Sequence, residues 1–227
     1  MLKIGMIAVQ IISLMFISNA AYAGVIITGS RLIYDSSKKE ASVAIRNPDE
    51  GMPYLIQSWV DNYSSNNTQK PPFVVTPPLF RLDGKQENIL RVMLTGGALP
   101  NDKESIFWVN IKAIPATQKN AVNRLSISIN SKMKLIYRPR NLFNGASEAY
   151  KKVTFSRVNN QLQITNPTPY YISFSRIYIN NQPIKESVMV SPFDKKVLSQ
   201  PIGASAQISW GTINDYGGIT PRQNVVL

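Results

Sequence analysis

Ile89-Leu90-Arg91-Val92-Met93-Leu94-Thr95-Gly96-Gly97 is a short extended run closed by a glycine turn. Arg91 between Leu90 and Val92 sets a period of two, the repeat of a strand with one face buried. The same pattern continues upstream. Ser42-Val43-Ala44-Ile45 and Tyr54-Leu55-Ile56-Gln57-Ser58-Trp59-Val60 are short β-rich runs, and Asn47-Pro48-Asp49-Glu50-Gly51 between them carries the residues of a turn. Runs of this length and spacing predict an all-β sandwich. No stretch predicts an amphipathic helix of ordinary length.

The strand pattern extends from about residue 25 to Tyr137 and stops at Arg138-Pro139. Residues 140–149, with Asn141, Asn144 and Gly145, read as a polar linker. A second series follows at 152–158, 161–165, 170–179, 187–190 and 207–213. Each half has the size of one sandwich domain, giving domains at 24–140 and 141–227. The residues before them read as an export signal. Lys3 opens it, residues 4–17 are mostly apolar, and Ala21-Tyr22-Ala23 supplies the small-x-small pattern, with cleavage expected after Ala23. That apolar run falls short of the ~20 residues a membrane span needs, so the chain is not expected to be an integral membrane protein.

Composition removes several kinds of chemistry. With no cysteine there is neither a disulfide nor a thiolate. With no histidine there is no Ser-His-Asp triad, no Cys-His pair and no His-bearing zinc site. No glycine-rich phosphate loop is present. Catalytic residues, metal and cofactor are therefore expected to be none. The formal charge is +12, but the basic residues are dispersed apart from doublets such as Lys38-Lys39, Lys151-Lys152 and Lys195-Lys196. Together with export, that argues against nucleic acid or nucleotide as a partner and for a soluble cationic surface.

Four further stretches carry a family resemblance. They are Leu99-Pro-Asn-Asp-Lys-Glu-Ser-Ile-Phe-Trp-Val-Asn-Ile-Lys-Ala-Ile-Pro115-Ala116, Lys132-Met-Lys-Leu-Ile-Tyr-Arg-Pro139, Asn166-Pro-Thr-Pro-Tyr-Tyr171 and Ile213-Asn-Asp-Tyr-Gly-Gly218. With Arg31-Leu-Ile-Tyr34 and Pro53-Tyr-Leu-Ile-Gln-Ser-Trp59, they resemble the signature segments of the PapD-like periplasmic chaperones of the chaperone–usher pathway. The resemblance spans essentially the whole chain after residue 23. It implies two immunoglobulin-like β-sandwich domains set in an L or boomerang. It also implies a function: binding pilin (fimbrial) subunits in the periplasm by lending each a strand, and delivering them to an outer-membrane usher.

In Leu125, Ile127 and Ile129, apolar residues alternate with Ser126, Ser128 and Asn130. Alternation alone favours these three facing their own domain's core; the resemblance reverses that reading and makes them the donor strand. It likewise assigns Arg31 and Lys134 to gripping a subunit's terminal carboxylate, and Glu104, Arg138 and Asp215 to an ionic network between domains. Strict alternation puts Lys134 on the opposite face from Leu125. That requires either a bulge or strong twist, or a strand end that uses both of its faces at the cleft. The connection before the donor strand is only the nine residues 116–124, which resembles the short-loop subclass. Two other readings compete: an exported structural or adhesive fimbrial sandwich, and a hydrolase built on Asp102 and Glu104.

Overall fold

The computed structural model describes residues 24–116, 125–203 and 205–227. Residues 1–23, the stretch read as an export signal, and most of the 116–124 connection lie outside them. Among the described residues the first half of the chain forms β1 (Ile26–Ile27), β2 (Arg31–Asp35), β3 (Glu40–Arg46), β4 (Tyr54–Asn62), β5 (Phe73–Thr76), β6 (Leu79–Leu82), β7 (Glu87–Leu94), β8 (Ser105–Pro115) and β9 (Ile129–Arg138). They make two sheets, ordered β1-β3-β7-β5 and β2-β9-β8-β4-β6.

The period-two runs are half-buried strands. In β7, Leu90 and Val92 are fully buried while Ile89 and Arg91 face out. In β4, Ile56, Ser58 and Val60 point inward and Leu55, Gln57 and Asp61 outward. The inward faces of both sheets meet in one core containing Tyr34, Val43, Ile45, Phe73, Leu90, Val109 and Leu135. Tyr34, Phe73 and Phe107 pack edge to face, with centroids 5.3 and 5.0 Å apart.

The chain changes sheets at its start. β1 pairs antiparallel with β3. Gly29 then takes φ +85°, a left-handed conformation that suits glycine. β2 next joins the other sheet, parallel to β9, with Arg31 opposite Lys134. This crossover brings together two residues 103 positions apart in sequence.

The second half contains β10 (Thr154–Val158), β11 (Gln161–Thr165), β12 (Ile172–Ile179), β13 (Gln182–Pro183), β14 (Met189–Val190), β15 (Lys195–Pro201), β16 (Gln207–Thr212) and β17 (Gln223–Val226). One sheet is β10-β11-β15; the other is β13-β12-β16-β17, with β14 also on β12. A separate core gathers Leu162, Ile164, Ile177, Leu198 and Ile208, with Phe155 and Trp210 packed at 4.5 Å. The architecture is all-β, in two immunoglobulin-like sandwiches.

The segment read as a plain polar linker is more structured than expected. Arg140–Lys152 winds as 3₁₀ turns with Ala149 and Tyr150 buried. Leu142 and Ala146 rest on the second core, and the Tyr170 hydroxyl donates to the Leu142 carbonyl at 2.6 Å. Leu142, Ala146, Ala149 and Tyr150 recur at helical spacing (i, i+4, i+7, i+8) within an otherwise polar run, and this one face docks the segment.

Candidate functional site

The upstream part of β9 has an open edge. β8 pairs with it from Ile129 to Tyr137 without a register shift, but on the other side β2 pairs only with Lys134–Arg138. Among the described residues, then, the 129–133 backbone has a β-partner on one side alone. Residues 125–128 continue upstream with no strand pairing. Leu125, Ile127 and Ile129 are 87, 65 and 56% exposed. They border an apolar groove of about 550 Å³, whose other walls include Val25, Ile27, Pro53, Ile111 and Ala113.

Parity explains this exposure. Ile129 shares its face with Met133 and Leu135, both in the first core. The strand thus keeps its core-facing pattern beyond the point where its own sandwich covers it. An unpaired edge carrying alternate apolar side chains is a template for adding a strand.

The unshifted register also resolves the position of Lys134. No bulge intervenes, so Lys134 does project from the face opposite Ile129, together with Ile136 and Arg138. Ile136, Arg138 and Arg31 line a cleft of about 350 Å³ shared with Tyr171, Ser173 and Asp215 of the second half. One face of β9 serves the groove and the other the cleft.

Arg31 and Lys134 are adjacent and partly buried. Arg31 donates from Nη1 to the Ile213 carbonyl at 3.0 Å, while its buried Nε has no partner. Burial lowers the Arg31 pKa from its ordinary value, partly offset by the charges of Asp215 and Glu104. Burial, and then Arg31 itself, lowers the Lys134 pKa. The nearby carboxylates of Glu104 and Asp215 are both engaged by Arg138. The pair is a partly desolvated cation site in which Arg31 opposes the Lys134 charge, and a carboxylate there would offset both penalties.

A carboxylate bound at this pair must raise the Lys134 pKa back toward its ordinary 10.5. Binding should therefore take up protons in the alkaline range below that value, and affinity should fall as pH rises through the depressed pKa. Calorimetry in buffers of different ionisation heat reads this uptake directly. Lys134→Met should abolish it.

Glu104, Arg138 and Asp215 form one network. Arg138 Nε donates to Glu104 Oε1 at 2.7 Å, and Nη1 and Nη2 donate to the two Asp215 oxygens at 2.6 and 2.8 Å. Glu104 Oε2 accepts from the Tyr171 N–H at 2.7 Å, and the Glu104 N–H donates to the Pro169 carbonyl at 2.9 Å. The Glu104 and Arg138 side chains are 1 and 4% exposed, Asp215 37%. Burial pushes the Glu104 carboxyl up, with Arg138 and Tyr171 pulling it back. Burial also opposes the Arg138 charge, but Asp215 and Glu104 outweigh it and hold the guanidinium protonated. The network ties residues from both sandwiches together. Asp102 is exposed and does not converge with Glu104.

Sequence reasoning missed the backbone groups in this site. The Ile213 carbonyl and the Tyr171 N–H carry no side-chain signal. The peptide unit joining Tyr170 to Tyr171 is held through its carbonyl by Asn166, which is fully buried. Its amide donates to the Tyr170 and Ser191 carbonyls, and its oxygen accepts from the Thr168 N–H and hydroxyl. Asn47 braces the other Asn-Pro corner in a similar way, donating to Met52 and accepting from Asp49. Among the described residues no cluster of acidic residues suits a metal, and no helix is long and apolar enough to cross a membrane.

Comparison with known proteins is consistent along the chain. Residues 24–143 match the family model "Pili and flagellar-assembly chaperone, PapD N-terminal domain", and 148–224 match "Pili assembly chaperone PapD, C-terminal domain". The chain is 39% identical over 216 residues to the chaperone protein FimC of Escherichia coli K12, covering 94% of this chain and 88% of that protein. It is 41% identical over 211 residues to the E. coli chaperone protein FocC, covering 91 and 92%. Among solved structures, the complex of Salmonella enterica SafA pilin with the SafB chaperone matches with TM-score 0.81 at 34% identity, covering 90% of this chain and 96% of the matched one. The periplasmic chaperone SfaE matches with TM-score 0.75 at 40% identity, covering 88 and 97%.

Proposed function

Since the chain belongs to the PapD-like family of pilus-assembly chaperones, we propose that it caps pilin subunits in the periplasm by donor-strand complementation and hands them to an outer-membrane usher. The observation that carries this reading is the open edge of β9 with Leu125, Ile127 and Ile129 held out in solvent. A subunit lacking one strand of its sandwich has the matching defect, an apolar groove flanked by unpaired backbone. Main-chain pairing to β9 satisfies that edge, and the three side chains fill its pockets. Each such burial contributes ~1.5–3 kcal/mol before ordering losses.

Arg31 and Lys134 hold the subunit's terminal carboxylate and so set the register of the added strand. Glu104, Arg138 and Asp215 fix the angle between domains divided at residues 140/141. The nine-residue connection and the absence of cysteine support the short-loop subclass. The structural or adhesive alternative is not favoured, because relatives along the whole chain are chaperones.

Co-expression with a cognate pilin should yield a soluble one-to-one complex in the periplasmic fraction. Ile127→Asp should lose it, with affinity falling roughly 10–150-fold, while the free protein keeps its melting temperature because the side chain is 65% exposed. Undiminished capture by Ile127→Asp would refute the donor role.

A further inference from the structure

The described residues contain two buried side-chain polar atoms without a partner: Arg31 Nε and Ser173 Oγ. Both residues line the same cleft, Arg31 from the first sandwich and Ser173 from β12 of the second. They meet across one residue. The Ser173 carbonyl accepts from the Ile213 N–H at 2.9 Å, and the Ile213 carbonyl accepts from Arg31 Nη1 at 3.0 Å. Ser173 is 3% exposed overall. Buried polar atoms are paired in the great majority of cases, and leaving one unpaired costs about as much as a lost hydrogen bond. Two such atoms on residues lining one cleft make it a candidate seat for a polar group.

The two atoms specify that group. A guanidinium N–H only donates, so the incoming atom must accept. A hydroxyl can donate to a second lone pair. A carboxylate offers about four acceptor positions on two oxygens, enough for Arg31, Lys134 and a hydroxyl together. We propose that Ser173 supplies a hydrogen bond, from the second domain, to the carboxylate held by Arg31 and Lys134. The inference rests on the anchor reading above and extends it: the grip is shared by both domains. Ligand binding then adds a tie across the cleft, alongside the Arg138 network.

The test uses the full mature chain and a short peptide of alternating apolar residues, prepared with a free C-terminal carboxylate and as its C-terminal amide. Wild type should prefer the acid form by at least about tenfold. Ser173→Ala should reduce that preference by roughly three- to tenfold, with unchanged thermal stability of the free protein, since it removes an unpartnered hydroxyl. Ser173→Thr keeps the hydroxyl and should retain the preference. If Ser173→Ala keeps the full preference while Arg31→Ala and Lys134→Ala abolish it, the hydroxyl holds only a water and the proposal falls. If wild type does not distinguish acid from amide, the anchor reading itself fails and the proposal with it.

Discussion

Arg138→Ala should destabilise the protein by about 3–5 kcal/mol near neutral pH, because it leaves the Glu104 carboxylate buried without its cation. Denaturant titration should read this as a lowered midpoint. The loss has a pH signature. Burial already raises the Glu104 pKa above 4.5, and removing Arg138 deletes the charge that chiefly pulls it back. A carboxyl whose folded pKa lies above its unfolded one binds more protons in the folded state. Stability therefore falls as pH rises through the window between the two values, and recovers on acidification. Arg138→Ala should be weakest at high pH and regain part of its loss as Glu104 takes up a proton. Glu104→Gln should cost less, since Arg138 keeps both bonds to Asp215. Replacing Glu104 and Arg138 together by leucine should recover much of the stability but loosen the interdomain angle, visible in solution X-ray scattering. A loss below about 1 kcal/mol for Arg138→Ala would place the pair among ordinary surface bridges, contrary to its burial.

The second large effect separates function from stability. Arg31→Ala and Lys134→Ala should each weaken pilin capture roughly 10–150-fold, the value of a charge-assisted hydrogen bond. The free protein should not lose stability through Lys134, whose charge is opposed by burial and by Arg31; Lys134→Met should be neutral or slightly stabilising. Arg31→Lys should rescue poorly, because a compact ammonium cannot both reach the Ile213 carbonyl and present a planar fork. Soluble pilin recovered on co-expression is the readout. Wild-type recovery with both alanine variants would overturn the anchor assignment.

These predictions draw unequally on sequence and structure. The strands were legible where burial is one-sided: Leu90 and Val92 in β7, and Ile56 and Val60 in β4, alternate with residues that face water. β15 and β17 were missed. β15 carries Lys195, Lys196, Ser199 and Gln200, and only Leu198 of its Val197-Leu198 pair is fully buried, so its polar face dominates the pattern. The 140–152 segment was legible as polar but not as docked, because its attachment runs through distant partners such as Tyr170. In the cleft, side chains inside the family motifs could be named in advance. Ser173 could not: a serine in a strand looks the same whether its hydroxyl meets water or an empty buried position.

By itself the sequence determined the class of fold, the two halves, the exclusion of histidine and cysteine chemistry, and the alternation at 125–130. These are properties of composition and local period, which neighbouring residues express without reference to the rest of the chain. Only the tertiary structure decided that Arg31 lies against Lys134, that β9 outruns its β2 partner, and that its two faces serve a groove and a cleft. Those facts depend on which sheet β2 joins and where it pairs along β9, a contact between segments about a hundred residues apart that no local pattern encodes.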